Sequence, residues 1–563
     1  MSDTAKSPMF EVDTSKAPAR QGEFPAHTYR DLHQHLAELE RRGLLQRITR
    51  AVDKDSELHP LARWQFVGGM AEKDRKAFLF ENVVDFSGRK FEMPVVVGAI
   101  AANREIYSAG MDAPVADIEK KWEHAIAHPI KPRIVEIAPC HEIVVTRNGL
   151  QGMGRGLDAL PIPVSTPGFD SAPTLTATNV ITKDPETGVQ NMGTYRGMLK
   201  SSDRLGMMML VSNRAGGIEH WAKHNKTRDP MPMAIVLGAP PLVAFLGPQK
   251  VRNGVDELGV AGALAGGPIN VVKGKTVDLL VPAEAECVIE GFVDPEYLEP
   301  EGPFGESHGY VALEDYNCII NVTAITHRRN PIISSIISQV TPSESSVVKR
   351  LAFEPMFLSH LRDHLGIKQV KRVVMHEPLT NLRRFVFIQF ERGAPRAEVW
   401  RALQGLLTLQ AYVGKFVIAI DDDIDPENAD SVFWAMSYRC NPIEDTKVIP
   451  YRIKGHGPRQ EVNPRPDSAM LIDATMKGPM PPLALPKREF MEGAKALWEK
   501  LGLPALRPES PWFGYDMGDW SEEWDRNAMQ AARGEWMERS ERYRQRRAKG
   551  VEPNSPVRGQ EET

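Results

Sequence analysis

The texture of the chain changes near residue 132. From there to about residue 340, short β-rich runs follow one another, broken by Gly, Pro and charged turns. The clearest are "RIVEIAP" (133–139), "HEIVVT" (141–146), "MAIVLG" (233–238), "INVVKGKTVDLLVP" (269–282), "ECVIEGFV" (286–293) and "NCIINVTAITHRRNPIISSII" (317–337). Strands in such close succession, with little helix between them, point to a barrel or sandwich. The flanks read differently. Leu32, Leu36 and Leu39 recur at i, i+4 and i+7, which predicts a helix with Thr28 as N-cap and Gly43 as its left-handed stop. "MPVVVGAIA" (93–101) predicts a buried strand, and helical patterning resumes from about Ala116. Residues 345–366 predict a helix that Pro355 kinks or divides. Strand and helix then alternate through 369–437, the pattern of an α/β or α+β domain.

At 563 residues the chain exceeds one compact core. The expected divisions are a flexible leader (1–27), an N-terminal α/β segment (28–131), the β-rich domain (132–340), a connecting helix (341–368), a C-terminal α/β domain (369–502) and an extension (503–563). Net charge is −5, from 69 basic and 74 acidic residues, so the chain has no field suited to nucleic acid. The four cysteines, Cys140, Cys287, Cys318 and Cys440, show neither zinc spacing nor a disulfide framework. The N-terminal stretch is polar, without the apolar region of a secretory signal, and no apolar run reaches membrane-span length. A cytoplasmic protein with reduced thiols is expected.

Two stretches can carry chemistry. Asp184-Pro185-Glu186-Thr187-Gly188 has hairpin-turn residues, and Asn191 to Arg196 should return as a strand. Alternation then puts Asn191, Gly193 and Tyr195 on one face, and Met192, Thr194 and Arg196 on the other. The second stretch, "EPEGPFGESHGY" (299–310), holds Glu301 and Glu306 around an apolar, glycine-rich turn. Two readings fit Arg196, Glu301 and Glu306. In one, neighbouring carboxylates and an arginine tune each other for proton transfer. In the other, they form an ordinary ion pair across a turn. Four further stretches read as structural. Gly-rich 152–156 lacks the strand-to-helix setting of a nucleotide fingerprint. The run Asp421, Asp422, Asp423 and Asp425 suits a solvated turn. The methionines of 206–210 suit a core. The basic tail, Arg539–Lys549, is interspersed with acids as a solvated helix is.

In family order, "DPETGVQNMGTYR" (184–196), "LVPAEAECVIEG" (280–291), "EGPFGESHGY" (301–310), "DDDIDPENADSVFWAMSYRCNP" (421–442) and "IDAT" (472–475) resemble the UbiD family of decarboxylases that use prenylated FMN. The resemblance runs from about residue 28 to 500. It implies a split β-barrel holding the flavin, flanking N-terminal α/β elements and a C-terminal α/β domain that helps form a homodimer or larger homo-oligomer. Arg196, Glu301 and Glu306 are then the catalytic network, with Glu306 protonating the carbon that loses CO₂. Thr194, Tyr195, Arg196, Met209, Leu210, Val211 and Arg214 correspond to flavin contacts. Asn191 corresponds to a metal ligand, for Mn²⁺ with K⁺ nearby. The family's metal-binding Glu falls, by this reading, at Asn270, which predicts a weaker divalent site because hard cations prefer carboxylates. The implied partners are a carboxylic acid substrate, aromatic first and acrylic second, and a flavin prenyltransferase as cofactor supplier. Two competing readings make different predictions. A plain FMN oxidoreductase would turn over with reduced nicotinamide and release no CO₂. A non-catalytic assembly protein would be indifferent to loss of Glu306.

Overall fold

The structure is a computed structural model that describes residues 24–209, 216–249, 251, 255–453, 466–478, 480–482, 484–506 and 520–545. Most of the leader and much of the C-terminal extension, including residues 546–549 of the basic tail, lie outside the described residues, as do the expected flavin contacts Leu210, Val211 and Arg214.

The β-rich segment forms a nine-stranded sheet. Its order is Thr174–Leu175, Gly197–Ser201, Arg204–Met207, Asp315–His327, Cys287–Glu301, Met231–Leu237, Thr178–Lys183 and Gln190–Gly193, with Ile143–Thr146 joined to Asp315–His327. Two long antiparallel strands, Cys287–Glu301 and Asp315–His327, run through its centre, and their register shifts twice. Such irregularities bend a strand and raise its twist, which lets one sheet wrap. None of the sheets closes on itself among the described residues, so the barrel is the split form that the resemblance implies. At its middle, Ile289 sits between Ile235 and Ile325 on neighbouring strands, and all three side chains are buried.

The N-terminal segment does not stand apart. Its sheet orders Leu45–Asp53, Ala77–Val84 and Val95–Val97, then takes Ile333–Ser335 from the far end of the β-rich segment as a parallel edge. The first helix spans Leu32–Arg41 and buries Leu32, Leu36 and Leu39 as their spacing predicts. Its N-cap is Asp31 rather than Thr28, because Asp31 accepts the Gln34 amide and Gln34 returns a side-chain bond to it. Gly43 is left-handed, at φ 71°. The connecting helix runs unbroken from Glu344 to Ser359 with Pro355 inside it, so Pro355 does not divide it. It leads to a five-stranded mixed sheet, ordered Val370–Met375, Phe385–Phe390, Phe416–Asp421, Asp467–Asp473 and Thr446–Arg452. The helices Arg396–Leu409 and Ala429–Arg439 bury apolar side chains against separate cores on this sheet. Among the described residues no helix is long and apolar enough to cross a membrane.

Ile289→Ala removes the centre of the three-strand row and should cost about 2–5 kcal/mol. Phe86→Ala, at a position 86% exposed, should change stability by no more than about 0.5 kcal/mol. Denaturant midpoints of the two variants check both values.

Candidate active site

The Thr178–Lys183 strand pairs antiparallel with Gln190–Gly193 across the predicted hairpin turn. Asp184 accepts the Glu186 amide at 2.8 Å within that turn, and Gly188 takes φ 74°. The returning strand stops at Gly193. Residues 194–196 do not continue the ladder, because the Thr194 amide donates to the Gly247 carbonyl at 3.1 Å. Strict alternation therefore fails here. Residues 191–196 all line one cavity of about 360 Å³, instead of dividing between two faces.

Arg196 stands at one wall of this cavity. Its Nε and Nη2 donate to the two oxygens of Glu301, each at 2.8 Å, and its Nη1 donates to Glu306 Oε1. The guanidinium carbon lies 4.4 Å from the centre of the Phe304 ring. Glu301 ends the long central strand and is fully buried, whereas Glu306 follows the short Phe304–Gly305 strand and lines the cavity. Gly206 packs beside Glu301, and a Cβ there would lie 3.1 Å from Lys200 Cε and 3.4 Å, an ordinary contact, from Glu301 Cγ. Burial works against the charge of Arg196, but its hydrogen bonds and attraction to the two carboxylates outweigh that and raise its pKa. Burial also pushes the Tyr195 hydroxyl up to about 12, so it stays protonated at neutral pH.

At another part of the cavity wall, Asn191 meets the start of the Gly216–Thr227 helix. A Cβ on Gly216 would lie 2.1 Å from Asn191 Oδ1, so only glycine admits this approach. Glu257 opens the Glu257–Ala265 helix, lines the same cavity and accepts the Met192 amide at 3.0 Å. Asn191 and Glu257 thus offer hard oxygen donors of the kind a divalent cation takes.

Asn270 is elsewhere, and the expectation that it faces the metal is corrected. It is fully buried away from the cavity lining. Its Oδ1 accepts from Arg133 Nε at 2.8 Å, and its Nδ2 donates to Glu284 at 2.9 Å. Glu284 also accepts from Tyr29 at 2.5 Å, which completes a buried structural network. Glu257 was missed because the assignment followed a strand, whereas this acid stands at a helix start. Its signal was the pair Asp256-Glu257 heading the apolar run "LGVAGALA", a helix N-terminus by composition. Met209 packs in the hydrophobic core while its neighbour Met208 lines the cavity. The acidic run after Phe416–Asp421 is held by cations: Arg439 bonds Asp421 and Asp423, and Lys371 bonds Asp422. Three of the cysteines are buried and the fourth half-buried, all as free thiols.

Residues 133–340 match the 3-octaprenyl-4-hydroxybenzoate carboxy-lyase Rift-related domain, UbiD, and residues 350–474 match the C-terminal domain of the same carboxy-lyase. The chain belongs to the UbiD family of carboxy-lyases. Among solved structures it resembles the UbiD-class enzyme HmfF from Pelotomaculum thermopropionicum in complex with FMN. Identity there is 31%, TM-score 0.70, covering 82% of this chain and 96% of that one. An evolved dimeric form of HmfF, in complex with prFMN, is 30% identical at TM-score 0.69, covering 81% and 97%. The closed form of Sedimentibacter hydroxybenzoicus vanillic acid decarboxylase is 26% identical at TM-score 0.69, covering 84% and 100%. A Synechocystis protein, sll0936, is 29% identical over 448 residues, 75% of this chain and 84% of that one.

Asn270→Glu would set a second carboxylate beside Glu284 in a buried network. It should lower stability by about 2–4 kcal/mol and leave flavin and metal content unchanged. Thermal melting with elemental analysis checks this. Gly216→Ala should displace Asn191 and reduce flavin retained through purification, read from visible absorbance.

Proposed function

We propose that this protein is a reversible, non-oxidative decarboxylase of an aromatic or α,β-unsaturated carboxylic acid, working with prenylated FMN. The observation that carries the reading is the sharing of Arg196 between Glu301 and Glu306 at the cavity wall. Membership of a carboxy-lyase family and likeness to a protein that holds prFMN support it.

Loss of CO₂ from an sp² carbon leaves a carbanion with no orbital to delocalise it, and bound prenylated FMN supplies the electron sink that stabilises it. Thr194, Tyr195 and Met208 line the space such a group would occupy. Asn191 and Glu257 would hold a divalent ion, Mn²⁺ by resemblance, against the cofactor phosphate. A few protein ligands with phosphate and water complete such sites elsewhere, so a larger cluster of His, Cys, Asp or Glu is not required.

The chain's own residues divide the remaining work. Glu301 takes both of its bonds from one edge of the Arg196 guanidinium and fixes its plane. With Glu306 bound at Nη1, three of the five guanidinium N–H groups are engaged, and two remain to hold the substrate carboxylate. Glu306 accepts from Arg196 at Oε1 and delivers a proton from Oε2 to the carbon that loses CO₂. In the carboxylating direction the same oxygen removes that proton. A flavin prenyltransferase supplies the cofactor in this reading, and the protein works as a homodimer or larger homo-oligomer.

Glu306→Gln keeps the shape and cannot donate an acid proton. Decarboxylation by flavin-loaded protein should fall by roughly 10²–10⁴, with flavin content preserved. CO₂ release per bound flavin measures this, and a wild-type rate would remove Glu306 from the proton path.

A further inference from the structure

One helix of the N-terminal segment grips the wall beside Glu306 from outside the cavity. Beyond the start of the edge strand Ile333–Ser335, Ser334, Ile336 and Ser338 line the cavity. Ser335 and Gln339 turn the other way and bond to the Leu58–Val67 helix. Their partners there, His59 and Arg63, stand four residues apart on one helix face. His59 Nε2 is hydrogen-bonded to Ser335 Oγ at 2.8 Å, and Ser335 Oγ to Thr176 Oγ1 at 3.0 Å. Thr176 lines the cavity and accepts the Ile336 amide at 3.0 Å. Arg63 Nη2 donates to Gln339 Oε1 at 2.9 Å. Its Nη1 donates to the Gln339 and Val340 carbonyls, the latter at 3.0 Å.

Among the described residues no carboxylate pairs with Arg63, and every bond it makes goes to a neutral oxygen. Burial pulls its pKa down to about 10, so it stays charged at neutral pH. Burial also pushes His59 down to about 3, so that residue stays neutral. A guanidinium kept from water without a counter-charge is costly. What it supplies here is geometry, because its rigid fork fixes two carbonyls and one amide oxygen together. The backbone it holds needs fixing. Val340 adopts φ 30°, an outlier for a β-branched residue, and such strain persists only where the surroundings enforce it.

Both residues that Arg63 holds touch the turn that carries Glu306. The Val340 amide donates to the Glu306 carbonyl at 3.1 Å. A Cβ on Gly305 would lie 3.0 Å from Gln339 Cγ, so the Gln339 stem packs against the residue before Glu306. Elsewhere on the turn, Asp170 Oδ1 accepts the Gly305 amide at 3.0 Å, and the Glu306 amide donates to the Tyr310 carbonyl at 3.1 Å. From this geometry we infer that Arg63 is a positioning residue for proton transfer. It holds Gln339 and Val340, and they seat Glu306 so that its carboxylate meets Arg196 at the cavity wall. His59 anchors the start of the same segment. The inference rests on the decarboxylase reading and deepens it, because it traces the placement of the proton donor to a helix that does not line the cavity.

The test compares flavin-loaded wild-type, Arg63→Gln and Arg63→Lys proteins in two ways. The first is turnover per bound flavin, with benzoic, 4-hydroxybenzoic and cinnamic acids as probes. Arg63→Gln should lower kcat about 10-fold to 100-fold and leave KM within about 2-fold, because a misplaced proton donor slows the chemistry without loosening the substrate. Arg63→Lys keeps the charge and can reach one carbonyl, so it should fall between Arg63→Gln and wild type. The second is amide hydrogen exchange, which needs no turnover. Arg63→Gln should speed exchange about 10-fold or more in residues 303–309 and 338–343, and leave the central strand, 287–293, unchanged. A wild-type kcat per bound flavin, with only the melting temperature lowered, overturns the inference and makes Arg63 purely structural. Exchange that is unchanged at 303–309, or raised equally across the barrel, also overturns it. If Arg63→Gln retains no flavin, Arg63→Lys carries both comparisons. Failure of the decarboxylase reading is seen separately, as absence of CO₂ release from any acid by wild-type protein, and hydrogen exchange then still decides whether Arg63 holds the Glu306 turn.

Discussion

One buried guanidinium organises this protein. Arg196 is shared between a fully buried carboxylate, Glu301, and one that faces the cavity, Glu306. A buried charge survives only with its partners in place, and removing one partner typically costs about 3–5 kcal/mol. The surrounding chain is arranged to keep these partners. The central strand delivers Glu301 to its end. The hairpin after Asp184 stops pairing at Gly193, so that residues 194–196 can turn along the wall. Phe304 covers the guanidinium face.

The cavity is built by every part of the fold. The parallel edge Ile333–Ser335 belongs to the N-terminal sheet, yet Ser334 and Ile336 line the cavity. The connecting helix adds Ser345 and Val348, and the C-terminal domain adds Asn381 and Arg383. Binding sites commonly lie where packed units meet, because convergent surfaces there leave a concave space with polar groups at its rim. Here the convergence brings Arg196 from the barrel side and Arg383 from the C-terminal domain to the lining of one cavity.

Much of this was legible in the chain. β-rich runs in close succession pointed to a barrel or sandwich, the leucine spacing to the first helix, and a turn holding Glu301 and Glu306 to a cluster with Arg196, while the split barrel and a catalytic role for the cluster came from the family resemblance. These signals are local, because each depends on residues close in sequence. What failed was non-local or depended on strand regularity. Alternation misplaced the residues after Gly193, since a carbonyl from Gly247 captured the Thr194 amide. Asn270 was assigned to a metal by position along a strand, whereas its neighbours Arg133 and Glu284 make it structural. Glu257 carried the signal of a helix start but none that named its neighbours. Which cavity it reaches is set by packing between segments far apart in sequence.

The central claim is that a flavin-loaded cavity, with Arg196 and the two glutamates at its wall, exchanges CO₂ for a proton. Protein co-expressed with a flavin prenyltransferase and incubated with aromatic acids in D₂O tests this most directly. The account predicts release of CO₂ and one deuterium in the product, at the carbon that carried the carboxylate. Flavin-loaded protein that releases no CO₂ from any acid, and instead oxidises a reduced nicotinamide, would contradict it.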